Sequence, residues 1–226
     1  MKTTAIIPIK LNNERLPNKN TKTLGNKPLI AHCIETLQQI SAISDIYIYC
    51  SNAKIADYFP KASRAKLLLR SPHLDEPSTN FNQIFAAFSQ EVSADIYVYA
   101  HATAPFVTAS TVKSGLTAVL SGKYDSAFCA EKLQEFLWQN SRPLNFDVAN
   151  LPRTQDLSPI YKETSGVYIF TSEVYKKLGR RIGETPFILE IDRKQAVDIN
   201  TPEDFAFAEH MLNFQETNRK EQPCLK

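Results

Sequence analysis

Short apolar runs alternate with longer amphipathic stretches along most of the chain. "TAIIPI" (4–9), "DIYIYC" (45–50), "AKLLLR" (65–70), "DIYVYA" (95–100) and "DSAFCA" (125–130) include runs rich in Ile, Val and Tyr, and several follow an Asp or a small polar residue. Such runs predict strands. Between them, "KPLIAHCIETLQQI" (27–40), "NFNQIFAAFSQEV" (80–92) and "TASTVKSGLTAVLS" (108–121) predict helices. In the first of these, Leu29, Ile30, Cys33, Ile34, Leu37 and Ile40 fall on one face. Strand and helix in alternation predict one α/β domain: a Rossmann-like, mostly parallel sheet flanked by helices on both faces.

The rhythm breaks from Glu131 to Glu163, a stretch rich in Asn, Pro, Arg and Gln with isolated aromatics at Phe136, Trp138 and Phe146. Long irregular insertions in compact domains usually carry function or an interface, so 131–163 is expected to be an inserted arm. Alternation resumes with a strand at "SGVYIFT" (165–171), a short helix near 172–178, a strand at "RKQAVDI" (193–199) and a last helix from Thr201. "TPED" supplies an N-cap Thr, a Pro at the first helical position and an Asp three residues after the cap. The polar tail from about Gln215 is expected to fray.

Composition narrows the class. With 43% hydrophobic and 22% charged residues, the 226-residue chain can bury a core and is not disordered. A net charge of +2 argues against a nucleic-acid binder, which shows a broad basic face. Cys33, Cys50, Cys129 and Cys224 show no CxxC spacing. The first three fall in predicted elements and read as buried thiols in a reducing compartment. The N-terminus offers too short an apolar run for a signal peptide, and no stretch reaches the ~20 apolar residues of a membrane span. The expected location is the cytoplasm.

One loop departs from this even charge. "KLNNERLPNKNTK" (10–22), directly after the first predicted strand, holds Lys10, Arg15, Lys19 and Lys22 against Glu14, a balance of +3. In open α/β sheets, ligands bind at the carboxyl ends of the strands, where this loop lies. It lacks both glycine-rich phosphate cradles, GxxxxGK[ST] and GxGxxG. Asn12, Asn13, Asn18 and Asn20 can substitute, because Asn tolerates left-handed backbone. A turn of that kind aims backbone N–H groups at an anion, with Lys and Arg as countercharge. The competing reading is a solvated surface loop.

The loop also carries a pattern. Pro8, Lys10, Leu16, Pro17, Lys19 and Asn20 resemble the first motif of the CMP-sialic acid synthetases (acylneuraminate cytidylyltransferases). The resemblance continues in order through Arg70 opening "RSPHLDEPST", "HATAPF" (101–106), "RTQD" (153–156), "YKETSGVYIF" (161–170) and "AVDINTPEDF" (196–205). The chain departs from the family pattern at Glu14, at His101 where Gln is common, and at Asn200 where a second Asp is usual. Arg15 matches the related 3-deoxy-manno-octulosonate cytidylyltransferases.

The resemblance implies a nucleotide-diphospho-sugar transferase-like fold and the reaction of CTP with a 2-keto-3-deoxy sugar acid to give CMP-sugar and pyrophosphate. It implies Lys10, Arg15, Lys19 and Asp198 as catalytic residues. Pro8, Lys10, Asn13, Lys19, Asn20, Arg70, Thr79, His101 and Thr103 are the implied CTP-binding residues. Arg153, Gln155 and Tyr168 are the implied sugar-binding residues, and Asp198 and Asn200 the implied ligands of Mg²⁺. It further implies a homodimer joined through the 131–163 arm. Asp198 is expected to end a strand, and Asp204 to cap the last helix rather than bind metal. As a loop lysine, Lys19 is expected to change stability by no more than about 1 kcal/mol on removal. Two other readings stay open: an octulosonate cytidylyltransferase, favoured by Arg15 and disfavoured by Lys19-Asn20, and a non-catalytic nucleotide-binding subunit, favoured by Glu14 and Asn200 and opposed by Lys10, Lys19, Arg70 and Asp198.

Overall fold

The computed structural model describes residues 1–221, with side chains described through Phe214. Cys224 and the end of the polar tail lie outside the described residues. Seven strands form one sheet: β1 (Thr3–Ile9), β2 (Asp45–Cys50), β3 (Ala65–Leu69), β4 (Ile96–Ala100), β5 (Ser126–Leu133), β6 (Ile160–Thr171) and β7 (Pro186–Ile191). Their spatial order is β7-β5-β6-β4-β1-β2-β3. Only β6 runs antiparallel to its neighbours; the other pairings are parallel. Five helices accompany them: α1 (Leu29–Gln38), α2 (Phe81–Glu91), α3 (Ala109–Leu120), α4 (Ser172–Leu178) and α5 (Pro202–Glu221). α5 thus continues past Gln215, where fraying was expected.

Period-two alternation sorts the core into two chemistries. Ile7, Ile46, Ile48, Ile96, Val98, Val167 and Ile169 pack on one face with Ile30 and Ile34 of α1 and Val112 and Leu116 of α3. Ile6, Tyr49, Tyr97, Tyr99, Tyr168 and Phe170 face the other way, against Phe85 and Phe88 of α2 and Val174 of α4. Successive strand side chains point to opposite faces, so "DIYIYC" and "DIYVYA" each supply an aliphatic and an aromatic side. Gly115 lets α3 lie close to the sheet: a Cβ there would meet Ile169 Cδ1 at 2.7 Å and Leu189 Cδ1 at 2.8 Å. The cysteines Cys33, Cys50 and Cys129 are buried and free.

Two expectations are corrected. The strand expected at 193–199 is irregular, and β7 forms instead from "PFILEI" at Pro186–Ile191, paired with β5. Lys194 and Val197 are held in a turn (Val197 N–H to Lys194 O, 3.2 Å), which removes them from any ladder. The 131–163 arm is less irregular than its composition suggests. Glu131–Leu133 and Ile160–Glu163 extend β5 and β6 as an antiparallel ribbon. Beyond it, Trp138–Gln139 pairs with Arg142–Pro143 around Asn140 and Ser141, both at positive φ (50° and 60°), as a tight hairpin requires. Phe146 packs against Phe136 and Trp138, with ring centroids 4.7 and 5.5 Å apart. Trp138, Leu144, Val148 and Leu151 remain exposed.

The strand order reverses at β1, whose neighbours are β4 and β2. The chain that leaves β1 is the basic loop, and the chain that leaves β4 starts at His101. Open α/β sheets bind ligands in the crevice at such a switch point.

Candidate active site

A buried apolar cluster fixes the basic loop to this crevice. Leu16 is buried with Phe106 from the chain after β4, and with Ile199 and Phe205 at the start of α5. Loop, β4 exit and α5 entry are thereby bound into one unit. Ile199 N–H donates to Thr103 O at 2.8 Å, which adds a backbone link between the last two.

The asparagines shape the loop as their conformational freedom allows. Asn18 takes left-handed backbone (φ 56°, ψ 22°) and opens a 3₁₀ turn at Lys19–Thr21. Asn20 Nδ2 donates to Lys10 O at 2.9 Å and to Asn13 Oδ1 at 3.4 Å, closing the loop on itself. Lys10, Asn13, Glu14, Arg15 and Lys19, with Leu16 and Asn200, line a cleft of about 260 Å³.

Lys19 is not the surface residue its loop position suggested. It is 8% exposed, and its Nζ donates to Ile199 O at 2.8 Å and to Asn200 Oδ1 at 3.2 Å. Burial pulls its pKa below the ordinary lysine value, against the opposing field of Asp198. Arg15 Nη2 donates to the same Asn200 oxygen at 3.2 Å. Asn200 Oδ1 therefore already serves two cations, while its Nδ2 donates to Asp198 Oδ2 at 2.7 Å. Asp198 Oδ1 is buried and has no hydrogen-bond partner among the described residues. Asp198 lies in the loop before α5 rather than at a strand end. Asp204 behaves as a cap: its Oδ2 accepts from the Asn200 and Thr201 N–H groups at 2.8 and 2.9 Å.

A second group of charges borders the loop. Arg70 is buried, with Nη2 2.7 Å from Asp75 Oδ1 and its guanidinium carbon 5.6 Å from the Tyr49 ring centroid. Its Nε and Nη1 are buried without partners among the described residues. Asp75 also accepts from Ser51 Oγ, and its backbone carbonyl accepts from Lys10 Nζ at 3.5 Å. Asp75 was not foreseen as a site residue, although it sits in the quoted Arg70 motif five positions on. Pro8 is half-buried in β1, in register with Tyr49. Thr79 Oγ1 donates to His73 O at 3.5 Å, closing the turn after Asp75.

His101 joins these groups to the aromatic face. Its ring lies 5.3 Å from that of Tyr99 and 6.2 Å from that of Tyr168. Its Nε2 is buried without a partner. Burial first, then the charges of Arg181 and Lys19 against that of Asp198, lower its pKa to about 4. His101 is therefore neutral at physiological pH. Tyr168 is buried, with its hydroxyl 2.5 Å from Glu163 Oε1 and 3.2 Å from Thr164 O. Arg153 and Gln155 do not line the cleft: both are exposed on the arm. Arg153 is engaged by Asp156, at 2.7 Å (Nε) and 3.0 Å (Nη2).

The basic loop, the buried Arg70 and Lys19, and a carboxylate with one unpartnered oxygen gather near the switch point without a glycine cradle. The cytidylyltransferase family model matches residues 4–222. The chain belongs to the cytidylyltransferase family. Among its relatives is the CMP-N,N'-diacetyllegionaminic acid synthase of Legionella pneumophila, 27% identical over 94% of this chain and 97% of that protein. The pseudaminic acid cytidylyltransferase of Campylobacter jejuni serotype O:23/36 is 24% identical over 92% of this chain and 95% of its own length. Among solved structures, the CMP:2-keto-3-deoxy-manno-octonic acid synthetase complexed with CTP superposes with a TM-score of 0.68. It is 14% identical and covers 95% of this chain and 100% of that one; at that identity the likeness speaks for the fold.

Proposed function

We propose that the chain transfers CMP from CTP to a sialic-acid-like 2-keto-3-deoxy sugar acid, releasing pyrophosphate. The observation that carries this reading is the convergence of Lys10, Arg15 and Lys19 with the Asp198–Asn200 loop at the switch point. The anomeric hydroxyl oxygen attacks the α-phosphorus in line, the bond to the β-phosphate oxygen breaks, and pyrophosphate leaves. Such transfers depend on positioning and charge neutralisation. Lys10, Lys19 and Arg15 neutralise the triphosphate, and Arg70 offers its unpartnered Nε and Nη1 to the nucleotide. The relatives named for legionaminic and pseudaminic acid support a nonulosonic sugar acid over an octulosonate.

Mg²⁺ fits one side chain better than the expected pair. The unpartnered Asp198 Oδ1 suits a hard cation that takes one or two carboxylates with phosphate oxygens and water. Asn200 fits less well, because Arg15 and Lys19 already occupy its oxygen. A bound Mg²⁺ would supply Lewis-acid charge to the phosphates. The exposed apolar side chains of the arm support a homodimer formed through it. CTP as substrate supports a cytoplasmic location; among the described residues no helix is long and apolar enough to cross a membrane.

The test is pyrophosphate release from CTP and Mg²⁺ with N-acetylneuraminate, N,N'-diacetyllegionaminate, pseudaminate and 3-deoxy-manno-octulosonate, with product masses read out. CMP-nonulosonate formation is expected. CTP binding with no product from any of the four overturns the catalytic reading. Light scattering at micromolar concentration checks the dimer.

A further inference from the structure

Arg181 stands apart from the other arginines near the aromatic face. Its guanidinium carbon lies 3.5 Å from the Tyr168 ring centroid and 5.2 Å from that of Phe81. Arg180, beside it, is paired with Glu184, and Arg153 is paired with Asp156. Among the described residues, Arg181 pairs only with Glu163 Oε1, at 3.5 Å, well beyond the ~2.7–2.9 Å of a strong charge-assisted bond. Glu163 spends that same oxygen on the Tyr168 hydroxyl at 2.5 Å. The cation is thus positioned by stacking while its N–H fork stays largely unspent.

The segment that carries Arg181 is anchored. Asp125 Oδ2 accepts from the Glu184 and Thr185 N–H groups at 2.7 and 3.2 Å, and Ser126 Oγ accepts from Gly183 N–H at 2.8 Å. Arg181 also borders a cleft of about 280 Å³ with Asn80, Phe81 and Ile182, close to the lower end for small-molecule sites. Its charge reaches His101, which also feels Asp198 and Lys19. Arg181 thus stacks on Tyr168, whose other ring neighbour is His101, at 6.2 Å, the first residue after β4.

We propose that Arg181 is the specificity residue that binds the carboxylate of the sugar acid, its planar fork held over Tyr168 for two parallel hydrogen bonds. This assignment rests on the functional reading above. It moves the anion-binding role from Arg153, whose fork Asp156 occupies within the protomer, to a cation whose fork is open. The substrate carboxylate takes over the contact that Glu163 makes at long range.

The experiment compares the sugar acid that wild type turns over fastest, among the four named, with its methyl ester. A charged hydrogen bond lost to a buried partner lowers affinity about 10- to 100-fold. Wild type is expected to show a KM for the ester higher by that factor. Arg181→Leu is expected to raise the acid's KM by the same factor, leave the KM for CTP within about twofold, and bring acid and ester together. An acid-to-ester ratio in Arg181→Leu equal to that of wild type overturns the assignment. Should that variant not fold, Arg181→Lys, which keeps charge without the fork, reads the same ratio. A wild-type protein inactive with all four acids overturns the functional reading and this assignment with it. Activity with an unchanged ratio overturns this assignment alone.

Discussion

Replacing Lys19 by Met keeps the aliphatic stem and deletes only the ammonium. Two hydrogen bonds from a charged donor disappear, to Ile199 O at 2.8 Å and Asn200 Oδ1 at 3.2 Å. Each is worth about 1.5–3 kcal/mol. The sum overstates the loss, because burial already disfavours the charged amine, as its lowered pKa records, and Met relieves that desolvation. A net destabilisation of about 2–3 kcal/mol follows, larger than a surface lysine would give. For a domain of this size that lowers Tm by about 5–10 °C. Urea denaturation followed by circular dichroism measures it, and pyrophosphate release measures the accompanying loss, about 10²–10³ in turnover for a lost preorganised charge. A variant within about 0.5 kcal/mol of wild type would show that Lys19 does not tether the loop to the start of α5. Normal turnover would remove it from the triphosphate site.

Asp198→Asn, which deletes the charge behind the unpartnered Oδ1, is expected to abolish turnover while CTP still binds by calorimetry; retained activity at saturating Mg²⁺ would move the metal elsewhere. His101 titrates at about 4 in the fold and near 6.5 unfolded. Between those values the unfolded chain binds the extra proton, so this contribution is intact above pH 6.5 and is lost as pH falls toward 4, by at most about 3 kcal/mol. Comparing the pH dependence of urea midpoints for wild type and His101→Gln reads that slope, which the variant should lack. Gly183→Ala places a Cβ 2.2 Å from Asp125 Oδ2. It should cost about 1–3 kcal/mol, because the carboxylate cannot move without breaking its bonds to Glu184 and Thr185; an unchanged Tm would show that this anchor is loose.

Local pattern determined the sheet, its helices and the place of the basic loop, because strand and helix periods are written in neighbouring residues. It also indicated that an asparagine of the loop could bear left-handed backbone, without choosing Asn18 among the four, and that Asp204 would cap α5. It misplaced β7: "RKQAVDI", more than half polar, stays irregular, and the more apolar "PFILEI" pairs with β5 instead. Which charges are already spent belongs to tertiary structure alone. Lys19 and Arg15 share the oxygen of Asn200 across some 180 residues of chain, and Arg181 comes to rest on Tyr168. Such pairings follow from which loops the packed sheet brings to one edge. Residue type sets the charge a side chain carries, and only the fold sets the partner that cancels it or leaves it for a ligand.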